Sequence, residues 1–577
     1  MPSLHWIGKE AVVNHHHAVP FRLLRDVPEL SVGEPGAGNL IVQGDNLVAL
    51  KALLPYYAGQ VKCAYLDPPY NTGVDERDEQ GKRTGWIYSD NVNSPEIRAW
   101  LGKVVGPEAE DLSRHDKWLC MMYPRLALLK KFLREDGIIF ASIDENEFAS
   151  LRLLFDDLFG ITNRVGTIVW KNATDNNPTN IASEHEYVFC YAKNKERLPS
   201  EWKSTTLAVK GKLLEVGSQF VARYENPNDL QSEYTRWFRK SKSQLWPFED
   251  YKFIDKGGIY TGMRSVHNPG KEGYRYDVIH PTTGKPCEQP MMGYRFPKTT
   301  MDELLDQKRI IFGDDHTKLI ELKVYAKDYR AKLSSLFELD GRIGTNEIKE
   351  IFPNDNRPFD FPKPTELIEE LLSFTTSADD LILDSFGGSG TTGDAVFKLN
   401  KADGQRRRFV MVEMKAKIAR ELTAERVKRV AQGYTNAKGE QVEGLGGGFR
   451  FCELGEPLFD ETGKIRASVR FADLARHVYF TETGEPLPKE RVSAKSPVLG
   501  IHNNRAVCLL YNGILKDKSP DGGNALTQAT LALLRAAGDG QRVDRLVVYG
   551  TSQRLSPARL KREGVTFKQI PYSIRIT

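Results

Sequence analysis

The tetrapeptide Asp67-Pro68-Pro69-Tyr70 puts a carboxylate, two rigidly directed carbonyls and an aromatic ring into four residues, directly after the apolar run Val61 to Leu66. Two prolines cannot continue a ladder of strand hydrogen bonds, so the run is predicted to end there as a strand. Each residue type is also common in plain turns, but ligands of open α/β sheets lie at the carboxyl ends of the strands, where this motif falls. A second signal is Asp384-Ser385-Phe386-Gly387-Gly388-Ser389-Gly390-Thr391-Thr392-Gly393, between the apolar Leu381-Ile382-Leu383 and a helical pattern. Glycines there let backbone approach a ligand, and a helix N-terminus offers N–H donors. Gly388, Gly390 and Gly393 spell G-x-G-x-x-G, and Glu413 ends the next predicted strand, where an acid can bind a ribose diol. On these residues alone a nicotinamide-dependent oxidoreductase stays open. No Gly-Lys-Ser/Thr follows, which removes P-loop ATP hydrolysis.

Positioning these residues needs a sheet, and the pattern supplies one. Leu40-Ile41-Val42 is a strand, Gly44-Asp45-Asn46 a turn, and Leu47, Leu50, Leu53 and Leu54 a helical stripe. Helices are predicted at 118–135 and 148–159, with strands at 138–141, 168–170 and 187–191. The α/β rhythm lapses between about 196 and 350, then resumes with helices at 365–374, 392–399 and 418–430 and strands at 381–383 and 409–412. Alternating strands and helices argue for a mostly parallel sheet covered on both faces. After Gly444 to Gly448, read as a linker, a small α/β module is expected.

At about 150 residues per domain, 577 residues suggest three or four domains. With 40% hydrophobic and 27% charged residues, wholesale disorder is out. No run approaches the roughly 18 to 20 apolar residues of a membrane span, and no signal-peptide pattern opens the chain, so a cytoplasmic location is expected. Against 77 acidic side chains there are 81 Lys and Arg, a net charge of +4 that permits a polyanionic partner without demanding one. Six scattered cysteines read as buried reduced thiols, and three adjacent histidines (His15, His16, His17) as part of an N-terminal arm, with no metal expected.

The two motifs together resemble the amino-methylating DNA methyltransferases, in their β-group order with the catalytic loop before the cofactor loop. Order and spacing carry the resemblance: Gly44-Asp45-Asn46-Leu47, Tyr65 to Gly73, Tyr123-Pro124-Arg125-Leu126, Ser142 to Glu147, His185-Glu186-Tyr187, and Phe361-Pro362-Lys363-Pro364-Thr365 before the glycine loop. Within that group the insertion and C-terminal extension look most like modification subunits of type III restriction-modification systems. The resemblance implies a Rossmann-like, S-adenosylmethionine-dependent methyltransferase fold with circularly permuted motif order. It divides the chain into an arm (1–38), methyltransferase pieces (39–195 and 351–435), an inserted target-recognition domain (196–350) and a C-terminal module (436–577).

The implied activity is site-specific adenine-N6 methylation of double-stranded DNA, with cytosine-N4 methylation as the near alternative, since Asp at position 67 favours adenine. The oxidoreductase leaves Asp67 to Tyr70 and Phe361 to Thr365 unexplained, and a catalytically silent DNA-binding subunit does not need an intact Asp67. The expected partners are duplex DNA, a separate restriction subunit and a second copy of the chain.

By the same resemblance, Asp67 and the Pro68 carbonyl accept hydrogen bonds from the target amine, Pro69 stiffens the loop, and Tyr70 stacks on a flipped base. The cofactor falls to Asp384, Phe386, Gly388, Gly390, Thr391 and Glu413, with Asp45 near its adenine and Phe361, Lys363, Pro364 and Thr365 on its methionine side. In the insertion, Arg236, Trp237, Arg239, Lys240 and Lys242 interleave positive charge with an aromatic, as DNA backbone contacts require; a solvated basic face is the bland alternative.

Overall fold

The computed structural model describes residues 4–33, 38–72, 102–105, 113–173, 180–202, 208–242, 245, 248–268, 270–329, 332–355, 358–488, 496–511, 514–517, 522–536 and 545–570. Most of the polar stretch after Tyr70, including Gly73, lies outside them. Two compact units emerge, one from residues 1–200 with 334–577 and one from 201–333.

The larger unit is built on a ten-stranded sheet: β1 (Arg22–Asp26), β2 (Leu40–Gln43), β3 (Val61–Leu66), β4 (Leu133–Ile143), β5 (Arg164–Lys171), β6 (His185–Ala192), β7 (Leu336–Glu338), β8 (Leu381–Asp384), β9 (Arg408–Glu413) and β10 (Arg450–Pro457). Their order is β1-β10-β2-β9-β8-β3-β4-β6-β5-β7. From β10 to β4 every neighbour is parallel, whereas β6 runs antiparallel to both β4 and β5. All six residues of β3 and all four of β8 are buried, as strands covered on both faces must be. This is a mostly parallel, Rossmann-like sheet, as the alternation of strands and helices predicts.

Between β8 and β3 the chain reverses its sense of progress. From β8 it crosses through a helix to β9, and from β3 it crosses to β4 on the other side, so a crevice opens where the two connections part. Register aligns Asp384 with Tyr65, which brings the end of β8 level with the start of the Asp67 loop. Helices α1 (Asn46–Tyr57), α2 (Arg114–Phe132), α3 (Phe148–Phe159), α4 (Thr365–Thr375) and α5 (Thr391–Asp403) supply covering layers, with Leu50, Leu53, Leu126, Leu129 and Phe155 fully buried.

Several boundaries differ from the sequence reading. Strand β1 belongs to the expected arm yet pairs antiparallel with β10, and β10 lies beyond the expected end of the second methyltransferase piece. Residues 334–350 are not part of the smaller unit: β7 pairs with β5, and the helix Arg342–Ile351 that follows brings Gly344 so close to Pro362 that a Cβ would clash with its carbonyl oxygen. The C-terminal segment has its own four-stranded sheet, but Val507, Leu509, Val547 and Tyr549 share one hydrophobic cluster with Leu47 and Leu50, so it is not a separate module.

The smaller unit contains helices Ala208–Arg223 and Pro227–Ser241, a four-stranded antiparallel sheet, and helix Lys298–Asp306 over a core including Val266, Tyr294, Met301 and Leu322. All six cysteines are free and buried. Among the described residues, no helix is long and apolar enough to cross a membrane.

Candidate active site

A cavity of about 240 Å³ opens at the β8–β3 crevice. One wall is Asp67, Pro68, Pro69 and Tyr70, and the other is Asp384 with Phe386 to Ser389, Thr391 and Thr392 of the glycine turn; Gly390, expected at the cofactor, does not line it. Phe361 and Lys363 also line it. Residues more than 300 positions apart therefore share one space.

Long-range contacts hold the first wall. The Trp118 indole of α2 donates to the Pro69 carbonyl at 2.7 Å, which commits that oxygen to the scaffold. Asn71 follows with φ 61, a backbone form that asparagine tolerates better than most residues, and its amide donates to the Arg114 carbonyl and to buried Glu147. The Tyr70 hydroxyl lies 3.1 Å from Asp67 Oδ1 and 2.7 Å from Glu186 Oε2. Lys363 reaches the same carboxylates, with Nζ 3.0 Å from Asp67 and 3.4 Å from Glu186, and it sits 4.7 Å from the Tyr70 ring centre. Two carboxylates share one ammonium.

Burial pushes the Asp67 carboxyl above its ordinary range; the Lys363 charge opposes the rise and Glu186 adds to it. For Lys363 burial works the other way, but Asp67 and Glu186 outweigh it and hold the lysine protonated. The arrangement is acceptor-rich, suited to a group that donates hydrogen bonds.

The second wall is satisfied largely within itself. Asp384 accepts from the Phe386 N–H at 2.9 Å and the Thr392 hydroxyl at 2.6 Å. Gly387 donates to the Val412 carbonyl, and Gly390 to that of Gly387. Gly388 is held from both sides, its N–H by Glu413 at 2.9 Å and its carbonyl by Thr423 at 2.6 Å. Thr423 ends a π-helical turn, Ile418–Thr423, of a kind that recurs at functional sites. Gly390, at φ 81, is the residue before α5, whose N-terminus no side chain caps, and a Cβ there would meet the Thr423 carbonyl at 3.0 Å. Beneath the turn, fully buried Arg426 pairs with Asp394 at 2.8 Å and donates to Thr391 Oγ1 at 3.1 Å.

Other expected cofactor residues stand back from the cavity. Glu413 is fully buried, its second oxygen accepts from the Lys415 N–H, and burial pushes its carboxyl up to about 8. Burial likewise lifts Asp384 to about 7. Asp45 caps α1 and pairs with Arg125 at 3.0 Å; Asn46 beside it donates to the Ser385 carbonyl. Pro364 precedes α4, and the Thr365 hydroxyl at its start donates to Glu347 at 2.5 Å. Lys363, expected on the cofactor's methionine side, points its ammonium at Asp67.

In the smaller unit Arg236, Arg239, Lys240 and Lys242 are exposed on or beside one helix, and Trp237 stacks on Tyr234 at 5.7 Å. Arg236 already pairs with Glu233.

Trp118 and Arg426 escaped the sequence reading, and Glu186, part of the family-like triplet His185-Glu186-Tyr187, was given no role at the site. Each belongs to an element that was predicted, but nothing along the chain tells which of its side chains reaches a loop far away in sequence.

A DNA methylase family matches residues 61–425, more than half of the chain. The type III restriction-modification enzyme EcoP15I Mod subunit of Escherichia coli is 49% identical over 423 residues, which cover 71% of this chain and 64% of that protein. The StyLTI Mod subunit of Salmonella typhimurium is 29% identical over 420 residues, 68% of this chain and 57% of its own length. The matched parts thus span less than two thirds of either relative. With the crevice, the Asp67 loop and the glycine turn in the order that this family uses, the chain belongs to the DNA methylases.

Proposed function

We propose that this protein is an S-adenosylmethionine-dependent DNA adenine-N6 methyltransferase, serving as the modification and recognition subunit of a type III restriction-modification system. The observation that carries this reading is the convergence of Asp67 and the glycine turn on one cavity. The likeness to two type III Mod subunits supports the system, duplex DNA as substrate and a separate restriction partner. Pairing of two copies rests on the resemblance alone.

The cavity fits the cofactor's chemistry. Glycines 387 and 388 line it with backbone, and the uncapped α5 N-terminus suits a carboxylate. When bound, S-adenosylmethionine supplies an electrophilic methyl on a sulfonium. The chain's task is to present an amine whose lone pair is otherwise delocalised into the base. Asp67 and the Pro68 carbonyl accept its two hydrogens and favour the pyramidal, nucleophilic form, while Tyr70 stacks on the base once it leaves the duplex. Trp118 occupies the Pro69 carbonyl and so fixes the peptide that follows, which leaves the Pro68 oxygen as the acceptor for the amine. Holding amine and methyl in line supplies much of the acceleration.

The test is incubation of unmodified DNA with the protein and S-adenosylmethionine, followed by mass spectrometry of nucleosides. N6-methyladenine is expected. N4-methylcytosine in its place would overturn the adenine reading, and no methylated nucleoside would overturn the activity.

A further inference from the structure

Lys363 makes the bond to Asp67 that the proposed reaction needs an amine to make. Its ammonium sits 3.0 Å from Asp67 Oδ1, its side chain is only 10% exposed, and its backbone carbonyl accepts from Thr391 Oγ1 at 3.2 Å, so it is anchored at the cofactor wall while its charge reaches the base wall. A base amine arriving at that oxygen meets a competitor. Glu186 offers the competitor another berth: its Oε2 is already 3.4 Å from Lys363 Nζ, and its Oε1 is fixed by the Asn172 amide at 2.6 Å. The ammonium can therefore lean from Asp67 to Glu186 without leaving a carboxylate.

We propose that Lys363 stands in for the target amine on Asp67 while no base is bound, and that Glu186 is the positioning residue that takes over the ammonium when the base arrives. The inference rests on Asp67 being the amine acceptor. Its electrostatics are specific. Two carboxylates and one ammonium leave one net negative charge facing the base, which favours an amine that becomes cationic as its new N–C bond forms. Neutralising Glu186 leaves Asp67 fully paired with Lys363 and removes that charge. Neutralising Lys363 as well restores it.

The experiment compares the parent, Glu186→Gln and the double variant Glu186→Gln/Lys363→Met on a duplex carrying the methylated site mapped by sequencing and, to report base flipping, on a second duplex with 2-aminopurine next to the target adenine. Glu186→Gln is expected to lower kcat/KM for DNA by about tenfold or more and to weaken the 2-aminopurine signal, while the calorimetric Kd for S-adenosylmethionine changes by less than about twofold. The double variant is expected to recover most of that loss, a rescue that a merely structural glutamate does not give. Glu186→Asp, which keeps the charge, is expected to stay within about threefold of the parent and gives a second reading should the glutamine variants fold poorly. A double variant no faster than Glu186→Gln, or a Glu186→Gln or Glu186→Asp protein that departs from these expectations, overturns the proposal. Asp67→Ala separates the two ideas: if it is inactive and rescue is absent, only the lysine exchange fails, whereas if it still transfers methyl, the assignment of Asp67 fails first.

Discussion

The wall after β3 and the wall after β8 face each other across one cavity, yet they are stabilised differently. At the Asp67 wall the ordering contacts are side chains from elsewhere in the chain: Trp118, Glu147, Glu186 and Lys363. At the glycine wall they are mostly backbone bonds within the turn and from the next strand, with Asp384, Glu413 and Thr423 closing the remainder. A crowded, charged wall is poised for a partner that changes its charge during reaction, whereas a self-satisfied backbone wall is shaped in advance for a ligand that must only fit. The first should be broken by changes of charge and the second by changes of shape.

The sharpest separation is Asp67→Ala. Methyl transfer is expected to fall by about 10³-fold or more, with cofactor affinity by calorimetry nearly unchanged. Comparable losses in both would mean that the walls do not work separately. Arg426→Met attacks the support of the glycine wall by leaving Asp394 buried without its guanidinium, and urea unfolding is expected to show a loss of about 3–5 kcal/mol. Gly390→Val tests shape alone. A β-branched residue at φ 81, against the Thr423 carbonyl, is expected to cost about 1–3 kcal/mol, seen as weaker cofactor binding with the Asp67 side intact.

Trp118→Phe leaves the Pro69 carbonyl without its donor, and kcat is expected to drop by about tenfold at unchanged cofactor Kd. The last prediction concerns pH. Glu413 ordinarily titrates near 4.5 and burial lifts it to about 8, so the folded chain binds the extra proton between those values. Stability from this group is therefore complete below about 4.5 and is lost as pH rises through about 8. Glu413→Gln should flatten the fall of Tm across that window, and an unchanged slope would remove Glu413 as its source.

Much of the scaffold was legible locally. The strand Val61–Leu66 and the helix Phe148–Phe159 have the predicted ends, because prolines stop the one and Gly160 the other. β1 and β10 were missed, as their half-polar stretches become strands only by pairing with each other and with β2. The π-helical turn at Ile418–Thr423 was read as ordinary helix, since its backbone form answers to the glycine turn packed against it.

The sequence by itself determined which chemistry was available. Asp67 with two prolines, and glycines after a strand, are local statements: residue type limits backbone form, donors and acceptors before anything folds. Only the tertiary structure decided how those groups are charged and held. Lys363 was assigned to the cofactor by the family resemblance of its segment, and Glu186 looked like one more strand position. The sheet brings both to Asp67, because strand order and register, set by burial of apolar faces from distant segments, choose which side chains become neighbours.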